Sequence, residues 1–363
     1  MGGQGDGADG SWEPLLVEVG PRRAVHGGSK GGAAAGSGTI RTVAADAGPL
    51  PGALGSAVLS SMVERTLDRF VPDVVWARPL MPSAVLAANA RWQPLVVEPS
   101  GTELGHAAQT GEPHRQWTRM QEAIAAAEVV AVHQRSWVDL MRRLGVRTRS
   151  VELVPPVVDL DHFHPRGPKL EVRHRLQWDR GLVLVLRLPP QPWAAAETVL
   201  QALWSLARTG RGDLGVRVIL EGAPRELAKL RARANDLGVE HYVTFTGAVP
   251  YAQLPSLFRS ADLVLECSRA DHELRGLLQG MACGLPALVV PSESTPHWVS
   301  GDQGLLCTRA DAQSVAQGVM TMLDRRDRWP DWGRAARFRI QQECAPLRGL
   351  RRRLDLLQRL GAR

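Results

Sequence analysis

VRVILEGAPRELAKLRARANDLGVEHYVTFTG runs from 216 to 247 and decides the fold. Its opening, VRVILEG (216–222), is a short apolar run rich in branched residues, which predicts a buried strand. PRELAKLRARANDLG (224–238) starts on Pro, repeats its apolar residues at helical spacing and closes on Gly238, which predicts a helix. VTFTG (243–247) predicts a second strand. Strand, helix and strand in this order mean two parallel strands joined by a crossover helix.

The same rhythm extends in both directions. GLVLVLRL (181–188) and AETVLQALWSLARTG (196–210) precede the stretch as strand and helix. AQLPSLFRSA (252–261), DLVLEC (262–267), ALVVP (287–291), GLLCT (304–308) and DAQSVAQGVMTMLDRR (311–326) follow it as helix, three strands and helix. An earlier series reads as strands at 14–19, 39–45, 73–77, 94–98, 129–133 and 151–156, with helices at 54–70, 82–91, 114–128 and 136–145. The polar segment 159–181 interrupts the alternation and marks a boundary. The fold class is therefore α/β, with two doubly wound parallel-sheet domains in tandem. A cleft between the carboxyl ends of the two sheets is the expected ligand site.

Composition narrows the class. A chain of 363 residues with 44% apolar and 22% charged residues is that of a two-domain globular protein. No apolar run reaches the roughly 18 residues of a membrane helix. MGGQGDGADGSW lacks the basic start and apolar core of a signal peptide, so a cytoplasmic chain is expected. The four cysteines form no C-x-x-C pair and read as buried reduced thiols. The charge is uneven: from Arg325 onward there are 12 Arg and 4 acids, a net of +8 against +7 for the whole chain. A basic amphipathic tail of this kind suits a solvated face, an acidic partner or the anionic inner face of a membrane.

The common nucleotide motifs are absent. No G-x-G-x-x-G follows a strand, no G-x-x-x-x-G-K-[ST] occurs, and His272-Glu273 lacks the second His of a zinc helix. No metal site and no tightly bound cofactor are expected. The tail has few aromatics among its arginines, so no nucleic-acid platform is expected either.

VELVPPVVDLDHFHP (151–165), LVLVLRLPPQ (182–191), the stretch from Val216 to Ser268, and LLQGMACGLPALVVPSE (277–293) follow one another in an order and spacing that resembles the retaining glycosyltransferases of family 4. The resemblance covers roughly residues 72–330. It implies the GT-B architecture, two Rossmann-like domains facing across a cleft. It also implies a nucleotide-diphosphate sugar as co-substrate and a glycan, lipid or small-molecule acceptor. The domains would be 1–160, the acceptor side with a Gly-rich irregular start, and 161–340, the donor side. Residues 341–363 would form a basic helix packing back on the first domain.

Residue by residue, the resemblance implies that Arg187 holds the donor diphosphate. The family's partner Lys falls near Pro192, where this chain has none. Counting back from Met281-Ala282-Cys283-Gly284-Leu285-Pro286, the acids of the E-x7-E motif fall on Asp271, toward the sugar, and Gln279, toward the ribose. Ser268 opens that loop and Leu278 borders the nucleotide. Gly222 and Gly247 let the backbone approach it. Ser100 stands near the family's acceptor-side His. Three departures together (no Lys, Gln279 for Glu, Ser100 for His) leave two readings open. One is an active transferase. The other is a catalytically inactive GT-B protein that binds a nucleotide sugar, a glycan or a partner enzyme.

Overall fold

The computed structural model describes residues 16–21, 41–43, 52–101, 103–104, 115–169, 181–188, 193–208, 216–222, 224–267, 274–292 and 294–361. The Gly-rich segment 26–38, part of the expected irregular start, and the positions Pro192, Ser268 and Asp271 lie outside the described residues.

The first half contains β1 (Leu16–Pro21), β2 (Arg41–Val43), α1 (Gly52–Phe70), β3 (Pro72–Arg78), α2 (Val85–Asn89), β4 (Leu95–Val97), α3 (Arg115–Ala126), β5 (Val129–Val132), α4 (Arg135–Arg143) and β6 (Val151–Leu153). Its sheet has the order β2-β1-β3-β4-β5-β6. β3 to β6 pair in parallel, as the alternation predicts. β1 departs from the expected all-parallel sheet, because it pairs antiparallel with both β2 and β3. β2 and β3 thus run the same way on either side of it. Apolar periodicity fixes which residues form a strand and which face they take, but not the strand's direction.

The second half contains β7 (Val183–Arg187), α5 (Trp193–Arg208), β8 (Arg217–Glu221), α6 (Pro224–Asp236), β9 (Val243–Gly247), α7 (Leu254–Arg259), β10 (Leu263–Glu266), α8 (Arg275–Ala282), β11 (Ala287–Val289), α9 (Thr295–Trp298), β12 (Gly304–Leu306), α10 (Ala312–Asp324), α11 (Trp329–Glu343) and α12 (Pro346–Gly361). Its sheet is parallel throughout, in the order β12-β11-β10-β7-β8-β9. The strand order reverses between β7 and β10, and the crevice beyond the carboxyl ends of those two strands is where such sheets bind ligands.

Side-chain alternation distributes the core. Leu184 and Leu186 of β7 face α5, α6 and α10, while Val183 and Val185 face α7, α8 and α11. In the first sheet, Val75 and Ala77 face α1 to α4, and Val74 and Trp76 face Leu356 and Leu360 of α12. The last helix of the chain therefore covers the second face of the first sheet. The carboxyl ends of the two sheets approach each other where Ser136, just beyond β5, lies 3.3 Å through its hydroxyl from that of Ser294, just beyond β11.

Candidate functional site

Arg187 closes β7 at the switch point, side by side with Glu221 at the end of β8. Its Nε donates to Glu221 Oε2 at 2.9 Å, and its Nη1 donates to Gln279 Oε1 at 3.0 Å. Three elements thus converge on one guanidinium. Glu221 is buried and Arg187 is about one-third exposed. The other carboxylate oxygen of Glu221 accepts the Val249 N–H at 3.3 Å.

Local packing explains this placement. A side chain on Gly276 would put its Cβ 2.7 Å from Arg187 Cβ, and one on Gly280 would come equally close to Val264 Cβ. These two glycines, one helical turn apart, let α8 lie directly on β7 and β10. The amino end of α8 then faces the end of β7, where helix N–H groups and dipole favour an anion. The sequence reading brought Arg187 and Gln279 to this site. It read Glu221 as part of the strand VRVILEG and missed its carboxylate.

The remaining expected positions fall as follows. Gly222 donates to the Gly247 carbonyl at 3.4 Å, and Gly247 has φ +73°, a left-handed value suited to glycine. Both lie at the carboxyl edge beside Glu221. Leu278 departs from its expected place at the nucleotide: it is 1% exposed and packs inward. The helical period aligns it with Leu274, Leu277 and Met281 in the core between α8 and the sheet. Beyond β9, Tyr251 stacks on His162 with ring centroids 4.6 Å apart and 14° between planes. His162 Nε2 donates to the Tyr251 carbonyl at 2.9 Å. Burial and Asp159 push the Tyr251 phenol up, and Arg187 pulls it the other way. This aromatic pair was not singled out in the sequence.

At the end of the first sheet, Ser100 donates through its N–H and hydroxyl to Glu103 Oε2 at 3.0 and 2.9 Å, and its Oγ accepts the Glu103 N–H at 3.3 Å. Glu103 also accepts the N–H groups of Leu80 and Met81. The Ser100 hydroxyl is thus engaged in a clasp between the loop after β4 and the turn after β3. Burial pushes the Glu103 carboxyl up against those hydrogen bonds.

The charged group at this end is Glu98, two residues earlier. It is 2% exposed. Its Oε2 accepts Trp76 Nε1 at 2.7 Å, and its Oε1 lies 3.1 Å from His133, 3.3 Å from Arg78 and 3.6 Å from Arg353. His133 Nδ1 stands 3.0 Å from the Val154 carbonyl, so both ring nitrogens face acceptors, which suits the doubly protonated ring. The four cysteines are free and buried. Burial pushes Cys283 up to about 12 and Cys307 to about 11. No described helix is long and apolar enough to cross a membrane.

Residues 184–339 match the family described as glycosyl transferases group 1. Among curated relatives, the chain is 34% identical over 199 residues to the GDP-mannose-dependent alpha-(1-6)-phosphatidylinositol monomannoside mannosyltransferase of Mycobacterium tuberculosis, covering 52% of this chain and 50% of that protein. It is 28% identical over 287 residues to the enzyme of the same name from Mycolicibacterium smegmatis, covering 73% and 71%. The chain thus spans about half the length of the first of these relatives. Among solved structures, HepE of Anabaena in complex with UDP and glucose superposes with a TM-score of 0.72 at 19% identity, covering 86% of this chain and 84% of that one. Sucrose-phosphate synthase of Thermosynechococcus elongatus gives 0.73 at 17% identity, covering 90% and 84%. The fold is that of these GT-B proteins, and the match of residues 184–339 to the glycosyl transferases group 1 family falls on the second domain.

Proposed function

We propose that the chain transfers a glycosyl group from a nucleotide-sugar donor to a glycoconjugate acceptor with retention of configuration. The observation that carries this reading is Arg187, set at the switch point between Glu221 and Gln279 and facing the amino end of α8. A cation and a helix end aimed at one place stabilise the charge that develops on a leaving diphosphate. Gln279 offers its amide to the ribose, and Gly222 and Gly247 bring backbone close to the nucleotide. Asp271 and Ser268 serve the sugar. The Ser100 loop and Arg78, about one-third exposed at the end of β3, line the acceptor side. The relatives named above support a mannose-type donor and a lipid-linked acceptor.

The test is thermal stabilisation by UDP, GDP and their sugars. Specific binding raises the midpoint by mass action. Arg187→Ala removes charge-assisted hydrogen bonds and is expected to weaken nucleoside diphosphate binding by roughly 10- to 100-fold. No shift with any nucleotide would sink the proposal.

One observation favours the second reading, a binding protein without turnover. The Glu221 carboxylate sits on Arg187 and offsets the charge a diphosphate needs, at a site that already lacks the usual Lys. Glu221→Gln therefore enters the same titration, with tighter diphosphate binding expected. Donor hydrolysis by the wild type, abolished in Arg187→Ala, supports the enzyme. Nucleotide binding without donor hydrolysis supports the binding protein.

A further inference from the structure

We propose that the outward face of α12 docks on an anionic lipid surface. The argument does not depend on the donor site. At 100° per residue, α12 carries two apolar stripes whose centres lie about 130° apart around the helix. One holds Gly349, Leu356 and Leu360, all buried, with Arg353 beside them reaching Glu98. The other holds Leu347, Leu350 and Leu354, which are 71%, 46% and 37% exposed. Their i, i+3, i+7 spacing is that of a single helix face.

The helix cannot roll to hide these leucines. The inner stripe is fixed at one end by Gly349, where an added Cβ would meet Val157 Cγ2 at 2.3 Å, and at the other by Leu360 against the first sheet. The outward stripe is thus a standing feature of the surface.

Charge selects its occupant. Next to the leucines around the helix lies Arg351, with Arg348 beyond it on the same side, and both are exposed. Asp355 is the one acid in the helix sequence. Arg348 and Arg351 enter no ion pair among the described residues. An exposed apolar stripe bordered by arginines places alkyl chains at the depth of lipid glycerol groups and cations at the depth of phosphates. A helix lying in the interface plane needs this arrangement, and a neutral protein partner does not. The lipid surface is therefore the committed occupant.

The experiment uses the full chain and flotation with neutral phosphatidylcholine vesicles and with vesicles carrying about 30 mol% phosphatidylglycerol. Binding is expected on the anionic vesicles, with a fall of about tenfold or more when Leu347→Glu and Leu350→Glu are combined, and a similar fall for Arg348→Glu with Arg351→Glu. Both pairs lie on the exposed face, and an unchanged unfolding midpoint would confirm that the fold survives. Failure of the wild type to float with anionic vesicles would overturn the proposal. So would leucine variants that float like the wild type, because the apolar stripe would then take no part in docking. So would a wild-type dimer in size-exclusion chromatography that the leucine variants convert to monomer, because the face would then be covered by a second copy.

Discussion

Burial pushes the Glu98 carboxyl up, but the hydrogen bond and charge of His133, with the charges of Arg78 and Arg353, outweigh it and hold the group at about 2 against an ordinary 4.5. Because the folded value is depressed, its contribution is fully present above the unfolded value of 4.5 and disappears as pH falls toward 2. The difference corresponds to about 3 kcal/mol at neutral pH. Glu98→Gln should therefore be less stable than the wild type above about pH 5, with the gap closing as pH falls toward about 3. Urea unfolding of both proteins across that range measures the gap, and a constant gap would show that charge is not its source. Glu98 and Glu221 were illegible in the sequence for one reason. An acid at a strand end is solvated unless another part of the fold covers it. Here Arg353 comes from the far end of the chain, and Arg187 from a neighbouring strand. Arg187 and Gln279 were legible because short spacings from a strand and from MACGLP locate them without knowledge of their partners.

Helix α8 joins the core and the candidate site. Its apolar residues set its inward face, and Gly276 and Gly280 set how closely it approaches the sheet. Gly280→Ala drives a Cβ to 2.7 Å from Val264 Cβ and Cγ2, in a strand that cannot recede. A loss of about 1 to 3 kcal/mol is expected in unfolding measurements, as for other overpacked cores. Gly276→Ala meets Arg187 Cβ at the same distance. Its effect should fall mainly on nucleotide affinity, because Arg187 must move away from Gln279 and Glu221. Equal nucleotide affinity in the Gly276 variant would show that the guanidinium does not need this close approach. The twelve described strands and helices α1 to α7 and α10 were legible from apolar periodicity, whereas α9 and α11 were not read. The antiparallel direction of β1 was not, since an alternating strand reads the same both ways. The inward turn of Leu278 was legible in principle, because the same period that defines α8 carries it into the core.

The two domains are connected by more than the segment between β6 and β7. Helix α11 packs on the second domain, with Arg337 donating to the carbonyls of Phe163 and Ala282. Two residues later α12 lies on the first sheet. The Val158 N–H bonds the Cys344 carbonyl at 3.0 Å, so the two crossings between domains meet at one point. Helix α12 gives the first sheet a cover for Val74, Trp76, Val96, Val129 and Ala131, and this role assigns opposite costs to its two leucine stripes. Leu356→Ala opens a cavity against that sheet and should cost about 2 to 5 kcal/mol in unfolding measurements. Leu354→Ala, only two positions away but on the outward face, should stay within about 0.5 kcal/mol. The vesicle assay should show the converse, with Leu354→Ala weakening flotation and the folded Leu356→Ala protein retaining it. A single helix would then serve both the interior and the surface. Equal losses of stability from the two substitutions would mean that α12 does not sit on the first sheet in this orientation.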